Sequence, residues 1–234
     1  MIDELKSIEK NETWKLVQLP TGKKCINVKW VFKTKLKLDG QVAKFKARLV
    51  ARGFLQKYGQ DYCEVYAPVE RMETIRLIVA VAIKHNWLMY KLDAKSAFLN
   101  GELEEEVYVS RPPGFEIKGK EDYVYKLDIT LYSLMQAPRA WNKKIDMFLI
   151  QQGFTKCVNE HEIYCRNTTN KLILCIYMDD MIINGSNEAG MEDFKKNMMN
   201  QFEMSDLGNL IYFLGIEFEM NSRGVIIHQR KYAL

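Results

Sequence analysis

The stretch Leu172-Ile173-Leu174-Cys175-Ile176-Tyr177-Met178-Asp179-Asp180-Met181-Ile182-Ile183 sets two apolar, β-branched-rich runs on either side of two adjacent acids. Each run alone reads as a buried strand, and together they predict a hairpin with Asp179 and Asp180 at its tip. Asn-Gly or Asp-Gly is the usual chemistry of so tight a turn. Two neighbouring carboxylates repel each other and both lose solvation beside a core. A divalent cation would compensate them; an acidic surface turn is the plainer alternative.

Around this stretch lie 234 residues, enough for one large domain or two lobes. Hydrophobic residues make up 47% and charged residues 27%, the balance of a globular chain. The longest apolar runs, residues 77–83 and 172–178, are far too short to cross a bilayer, so no membrane partner is expected. Met1-Ile2-Asp3-Glu4-Leu5-Lys6 lacks a basic segment followed by an apolar one. The expectation is an intracellular protein of the cytoplasm or nucleus, not a secreted one. The 5 cysteines are odd in number and show no C-x-x-C spacing, which argues against a disulfide scaffold or a zinc site. Net charge is +4 and unevenly spread: residues 1–60 hold 14 Lys/Arg against 5 Asp/Glu, and the remainder 20 against 25. A basic part joined to an acidic one points to a polyanion on one side and metal-binding carboxylates on the other.

Residues 2–10 carry Ile2, Leu5 and Ile8 at helical spacing, and residues 14–19 begin an extended segment that Pro20-Thr21-Gly22 stops. The basic region then alternates with a period of two. Val28, Trp30, Phe32, Leu36 and Leu38 share one face, and Lys29, Lys33, Lys35 and Lys37 the other. Asp39-Gly40 signals a turn. The return strand sets Ala43, Phe45, Ala47, Leu49 and Ala51 against Lys44, Lys46, Arg48 and Arg52. The expectation is a separate small lobe, a β-hairpin with one apolar and one cationic face. Asp39 is the only acid between Lys23 and Arg52, which favours phosphate binding over a merely solvated face.

Further along, residues 72–86 predict a buried helix and residues 87–92 a strand ending at Asp93. Residues 107–109 and 123–127 read as short strands, and Pro138 opens a helix that Gly153 closes. Strands are expected at 163–165 and 171–174, an amphipathic helix over 188–204, a strand over 210–219 interrupted by Gly215, and a last strand over 225–229 after a turn at 222–224. Hairpin-joined strands alternating with helices predict an α+β fold, an antiparallel sheet with helices on one face.

Asp93 ends its strand as Asp179 and Asp180 end theirs, so the carboxylates converge if those strands are neighbours. Mg²⁺ prefers a few carboxylates, waters and substrate phosphates to an all-protein cage. His85, His161 and His228 are too scattered to form a ligand set.

Tyr177-Met178-Asp179-Asp180 resembles the fingerprint of reverse transcriptases, and its surroundings resemble copia-type long-terminal-repeat retrotransposon polymerases. The supporting stretches are Asn11-Glu12-Thr13-Trp14, Val28-Lys29-Trp30-Val31-Phe32-Lys33, Phe45-Lys46-Ala47-Arg48-Leu49-Val50-Ala51-Arg52-Gly53-Phe54 and Leu92-Asp93-Ala94-Lys95-Ser96-Ala97-Phe98-Leu99-Asn100-Gly101. Pro112-Pro113-Gly114-Phe115, Gln136-Ala137-Pro138-Arg139-Ala140-Trp141 and Tyr212-Phe213-Leu214-Gly215-Ile216-Glu217 complete the set.

The resemblance covers essentially the whole chain and implies one reverse transcriptase domain, a right-hand polymerase with the basic hairpin in its fingers. Residues 1–87 would be mostly fingers and 88–234 mostly palm, with interleaved fingers segments. It implies an RNA-directed DNA polymerase, a nucleotidyltransferase that uses two Mg²⁺ ions, with Mn²⁺ as a substitute. Its partners would be a primed RNA or DNA template and deoxynucleoside triphosphates.

By that resemblance Asp93 and Asp179 hold both metals, Asp180 assists, and Ala94 lends a backbone carbonyl. Lys46, Arg48 and Arg52 are the candidates to grip the triphosphate, Gln136 to meet the nucleotide and Phe98 to act as a steric gate against the ribose 2′-hydroxyl. Lys33, Lys35, Lys44, Pro138, Tyr177 and Met178 are candidate nucleic-acid contacts, with Phe213, Leu214 and Gly215 in the primer grip. Ser133 stands where the family usually has Gly, and Met135 where it usually has Lys. Lys231-Tyr232-Ala233-Leu234 falls where the family continues into its thumb, so the thumb is expected to be essentially absent. The rival expectation is a truncated, catalytically silent retrotransposon remnant that at most binds nucleic acid.

Overall fold

The computed structural model describes residues 1–36, 41–69, 71–221 and 224–233. The expected turns at Asp39-Gly40 and Ser222-Arg223, with Lys37 and Leu38, lie outside the described residues. In chain order the first elements are α1 (Ile2–Lys10), β1 (Trp14–Gln18), β2 (Cys25–Ile26), β3 (Val28–Leu36) and β4 (Val42–Ala51). Then come α2 (Met72–Lys84), β5 (Leu88–Ala94), β6 (Glu102–Val109), β7 (Tyr123–Ile129), α3 (Ala137–Gln151), β8 (Thr155–Lys156), β9 (Ile163–Asn167) and β10 (Lys171–Tyr177). The last are β11 (Asp180–Gly185), α4 (Glu188–Gln201), β12 (Met204–Asn209), β13 (Tyr212–Phe213), β14 (Ile216–Asn221), β15 (Gly224–His228) and α5 (Arg230–Ala233). The chain forms a mixed α+β structure of two compact units. One is Met1–Ala67 with Ser96–Ile145, the other Pro68–Lys95 with Asp146–Leu234.

The first unit holds a four-stranded sheet in the order β1-β7-β6-β2, with β2 parallel to β6. Trp14 stacks on Tyr125 with ring centroids 4.1 Å apart, and Ile8, Val107, Val109, Leu127 and Leu131 fill the core. Strands β3 and β4 pair antiparallel, with Trp30 opposite Leu49, Phe32 opposite Ala47, Lys33 opposite Lys46 and Lys35 opposite Lys44. Residues directly opposite share a face, so the alternation read from sequence gives one apolar and one cationic face. The ribbon is not a separate lobe, however. Its base residues Val28, Leu49, Val50 and Ala51 belong to the same core as β6 and β7, and Ala51 donates its N–H to the Tyr132 carbonyl at 2.9 Å. Only the outer half stands clear, with Phe32 68% and Phe45 76% exposed.

In the second unit six antiparallel strands run in the order β12-β5-β11-β10-β9-β8, and β13-β14-β15 form a smaller sheet. Helices were expected on one face only; they pack on both. Ile75, Ile78 and Val79 of α2 cluster with Met89, Cys175 and Ile182. The next residue along β5, Tyr90, points the other way, and the Lys195 ammonium of α4 lies 3.6 Å from its ring centre. Ile182 and Ile183 are both fully buried, so β11 is apolar on both faces and needs two covers. Helix α4 starts at an Asn187 cap, whose side chain accepts the Gly190 N–H at 2.9 Å, and it stops at Gln201. The helix expected to reach residue 204 gives way to β12, an edge strand without β-branched residues or alternation.

Candidate active site

Antiparallel pairing sets Cys175 opposite Ile182 and Tyr177 opposite Asp180, leaving Met178-Asp179 as a two-residue turn. Asp180 is therefore already in the strand, and the tip does not carry both acids as the sequence suggested. Met178 has φ 56, a left-handed conformation at a position where glycine is usual and other residues incur roughly 1–2 kcal/mol. The turn is fastened from below: the Ala94 N–H donates to the Asp179 carbonyl at 2.8 Å. On the far side of β5 the Lys95 N–H donates to the Glu203 carbonyl, also at 2.8 Å.

The ladder brings Tyr177, Asp180, Asp93 and Ser205 into one row across four strands. Side chains in such a row point to one face, with Cα atoms of neighbours about 4.5–5.5 Å apart. One step back on the same face, Lys91 sits opposite Ile182 and reaches diagonally to Asp180, Nζ to Oδ1 2.8 Å. Its ammonium also lies 5.4 Å from the centre of the Phe213 ring, within cation–π range.

Among the described residues no three His, Cys, Asp or Glu side chains converge as a closed metal cage. The donor chemistry nevertheless suits Mg²⁺ or Mn²⁺. Asp93 and Asp179 offer hard oxygens, and Mg²⁺ commonly takes one or two carboxylates and completes its shell with water and substrate phosphates. No imidazole or thiolate shares the row, so a zinc-type donor set is missing from it.

The remaining candidate residues have these surroundings. Lys33, Lys35 and Lys44 are exposed on the ribbon, Lys46 and Arg48 are half-buried, and Arg52 is exposed. The Arg48 guanidinium lies 4.7 Å from the Tyr132 ring centre, and Phe98, half-buried, meets the same ring edge-on at 5.6 Å. Gln136 is buried and fully engaged. Its carbonyl accepts from Gln56 at 3.0 Å, and its amide donates to the Asp61 carbonyl at 2.9 Å and to Glu105 at 3.4 Å. Pro138 is half-buried in the first turn of α3, Tyr177 is half-buried, Met178 is exposed and Ala94 is buried.

Phe213 is fully buried in the core, while Leu214 and Gly215 form the half-buried turn to Ile216 with φ 50 and 85. Ser133 is exposed with φ 69. A β-carbon added at Gly53 would stand 1.8 Å from the Ser133 carbonyl oxygen, so glycine is obligatory there. Met135 is exposed and donates its N–H to Gln56 at 2.8 Å.

Sequence reasoning missed Lys91, Ser205, Gln56 and Tyr132. Lys91 was within reach of it, because a residue two before Asp93 on a strand shares its face. Ser205 was not, since β12 itself carried no strand signal.

An antiparallel sheet thus sets an aspartate at a strand end beside a two-residue turn carrying a second one, Tyr-Met-Asp-Asp in sequence, the pattern that resembles the reverse transcriptase fingerprint. The comparison with known proteins makes this specific: the chain matches the family "Reverse transcriptase (RNA-dependent DNA polymerase)" over residues 11–234, and belongs to it. It is 41% identical over 236 residues to the retrovirus-related Pol polyprotein from transposon TNT 1-94 of Nicotiana tabacum, covering 99% of this chain and 18% of that protein. To the retrovirus-related Pol polyprotein from transposon RE1 of Arabidopsis thaliana it is 37% identical over 226 residues, covering 96% and 15%. A yeast relative, the transposon Ty1-DR4 Gag-Pol polyprotein, is 28% identical over 165 residues, covering 70% of this chain and 10% of its own length. The similarity is thus to copia-type Pol polyproteins, of which the chain spans less than a fifth. Among the described residues no helix is long and apolar enough to cross a membrane.

Proposed function

We propose that this chain is the fingers-and-palm portion of a right-hand RNA-directed DNA polymerase that extends a primer on an RNA or DNA template. The row Asp180–Asp93, closed by a turn that carries Asp179, supports this reading most directly in a chain of the reverse transcriptase family. On this reading the first unit supplies the fingers and the second the palm, so that Ser96–Ile145 is an interleaved fingers segment and residues 68–87, expected among the fingers, fall with the palm. Asp93 and Asp179 would hold two divalent ions, with the Ala94 carbonyl as a further oxygen donor. Bound there, such ions would supply Lewis-acid activation of the primer 3′-hydroxyl and charge compensation for the leaving pyrophosphate.

The chain's own residues bind and orient. Lys46, Arg48 and Arg52 are assigned to the triphosphate, and Phe98 to exclusion of a ribose 2′-hydroxyl. The primer grip is assigned to the turn Leu214-Gly215, with Phe213 as its buried anchor. Lys33, Lys35, Lys44 and Lys46 face a polyanion. Like charges directly opposite on neighbouring strands are destabilising, and a phosphate backbone offsets that cost.

Gln136 favours a second reading. Its amide is used at both ends by Gln56, Asp61 and Glu105 and so is not offered to a nucleotide as it stands. A chain that binds primer–template without extending it fits that arrangement.

Primer extension on poly(rA)/oligo(dT) with Mg²⁺, comparing the parent with Asp179→Asn, separates the two. The polymerase reading expects extension by the parent and a loss of about a hundredfold or more in the variant, with folding intact. Retained binding without extension in the parent selects the second reading.

A further inference from the structure

We propose that Lys91 is a positioning residue that holds Asp180 out of the metal shell, so that the site binds divalent ions through Asp93 and Asp179 alone. The inference rests on the metal-site reading above and specifies how that site is kept weak. Asp180 lies directly opposite Asp93 in the ladder, and its neighbour Asp179 sits in the turn. Unpaired, these three acids would carry a charge of −3, and a swing of Asp180 toward Asp93 would add a third carboxylate to the shell. Lys91 prevents it. Its Nζ is 2.8 Å from Asp180 Oδ1, and the pair is largely shielded, with side chains 14% and 24% exposed.

The placement is specific to the strand geometry. Lys91 lies two residues before Asp93 and one diagonal step from Asp180, a separation that a long side chain can bridge. The Phe213 ring, 5.4 Å from the ammonium, gives the cation a second favourable surface. A shielded charge pair interacts more strongly than an exposed one, so Asp180 stays committed to Lys91. Among Asp93, Asp179, Asp180 and Lys91 the net charge is then −2, and a divalent ion held by the first two would be left coordination positions for water and substrate phosphates. A purely structural ion pair would instead affect folding stability and leave metal affinity alone.

The test is Mn²⁺ binding to the nucleic-acid-free chain, read by titration calorimetry and by the loss of the free-ion electron paramagnetic resonance signal. Lys91→Met keeps the aliphatic stem and removes the charge. It is expected to tighten Mn²⁺ binding roughly tenfold, as one nearby like charge is lost and Asp180 is released. Lys91→Arg should restore the parent affinity, and Asp180→Asn added to Lys91→Met should abolish the gain. Unchanged or weaker Mn²⁺ binding in Lys91→Met overturns the proposal, as does a gain that persists without the Asp180 carboxylate. Asp93→Asn in the otherwise parental chain tests the underlying reading separately. If it leaves Mn²⁺ binding intact, the metal site is not where the polymerase reading puts it, and the role of Lys91 goes with it.

Discussion

At the scale of single residues, conformation identifies the departures that matter. Ser133 occupies φ 69, a region that a side chain enters at a cost of roughly 1–2 kcal/mol and glycine enters freely. The glycine that the resemblance leads one to expect at this position therefore has a backbone reason. Its side chain is exposed, so little packing is lost by removing it. Ser133→Gly should raise stability by up to about 1 kcal/mol, because relief of the strain outweighs the extra freedom of the unfolded chain. Urea unfolding reads this as a higher midpoint at unchanged slope. A lower midpoint would mean that the serine hydroxyl makes a stabilising contact.

At the scale of elements, the β3–β4 ribbon and the docking of α4 each make a prediction. Lys33 faces Lys46 and Lys35 faces Lys44 across the ribbon. Changing all four to Gln should raise the melting temperature at low salt, since two directly opposed like-charge pairs disappear. The same change should weaken primer–template binding and reduce its logarithmic salt slope by about 3–4 units. An unaltered slope would return the lysines to a solvated face.

Helix α4 is tied to the sheet by Lys195, only 3% exposed, which pairs with Glu192 at 2.6 Å and with Asp206 of β12 at 2.9 Å. Burial alone would raise the Asp206 carboxyl. The Lys195 hydrogen bond, the Gly208 N–H and the Lys195 charge outweigh it and hold the group below its ordinary 3.8. A carboxyl depressed in the folded state contributes stability above its unfolded pKa and loses it as pH falls through the folded one. Asp206→Asn should accordingly cost about 1.5–3 kcal/mol at pH 7. The gap to the parent should narrow as pH drops below about 4. A gap independent of pH in denaturant titrations would show that the carboxylate charge is not what holds the helix.

At the scale of the whole molecule, each unit has its own core. Leu127 lies in that of the first and Ile182 in that of the second, both buried. Truncation of such residues to alanine costs about 2–5 kcal/mol. Cores that are separate open as separate cooperative units. Leu127→Ala should then speed native-state hydrogen exchange mainly within Met1–Ala67 and Ser96–Ile145, and Ile182→Ala mainly within Pro68–Lys95 and Asp146–Leu234. Equal acceleration throughout, measured peptide by peptide, would mean that the two cores unfold as one.

What the sequence determined by itself was local. Period-two alternation gave the two faces of the β3–β4 ribbon, and two apolar runs gave the second hairpin, though with its turn placed one residue late, at Asp179-Asp180 instead of Met178-Asp179, because side-chain direction and turn formation depend on a few consecutive residues. The ordered motifs from Asn11 to Glu217 carried the family for the same reason: each is read without knowing its neighbours in space. Partner choice was not legible. Every strand offers the same backbone hydrogen bonds, so nothing in residues 88–94 announces that β5 lies between β11 and β12 and brings Asp93 opposite Asp180. Only the folded sheet shows that Lys91 reaches Asp180, that Gln136 is enclosed by Gln56 and Glu105, and that both faces of the six-stranded sheet are covered. These are contacts between residues distant in the chain, selected by which apolar faces bury one another, and that competition is decided by the whole core at once.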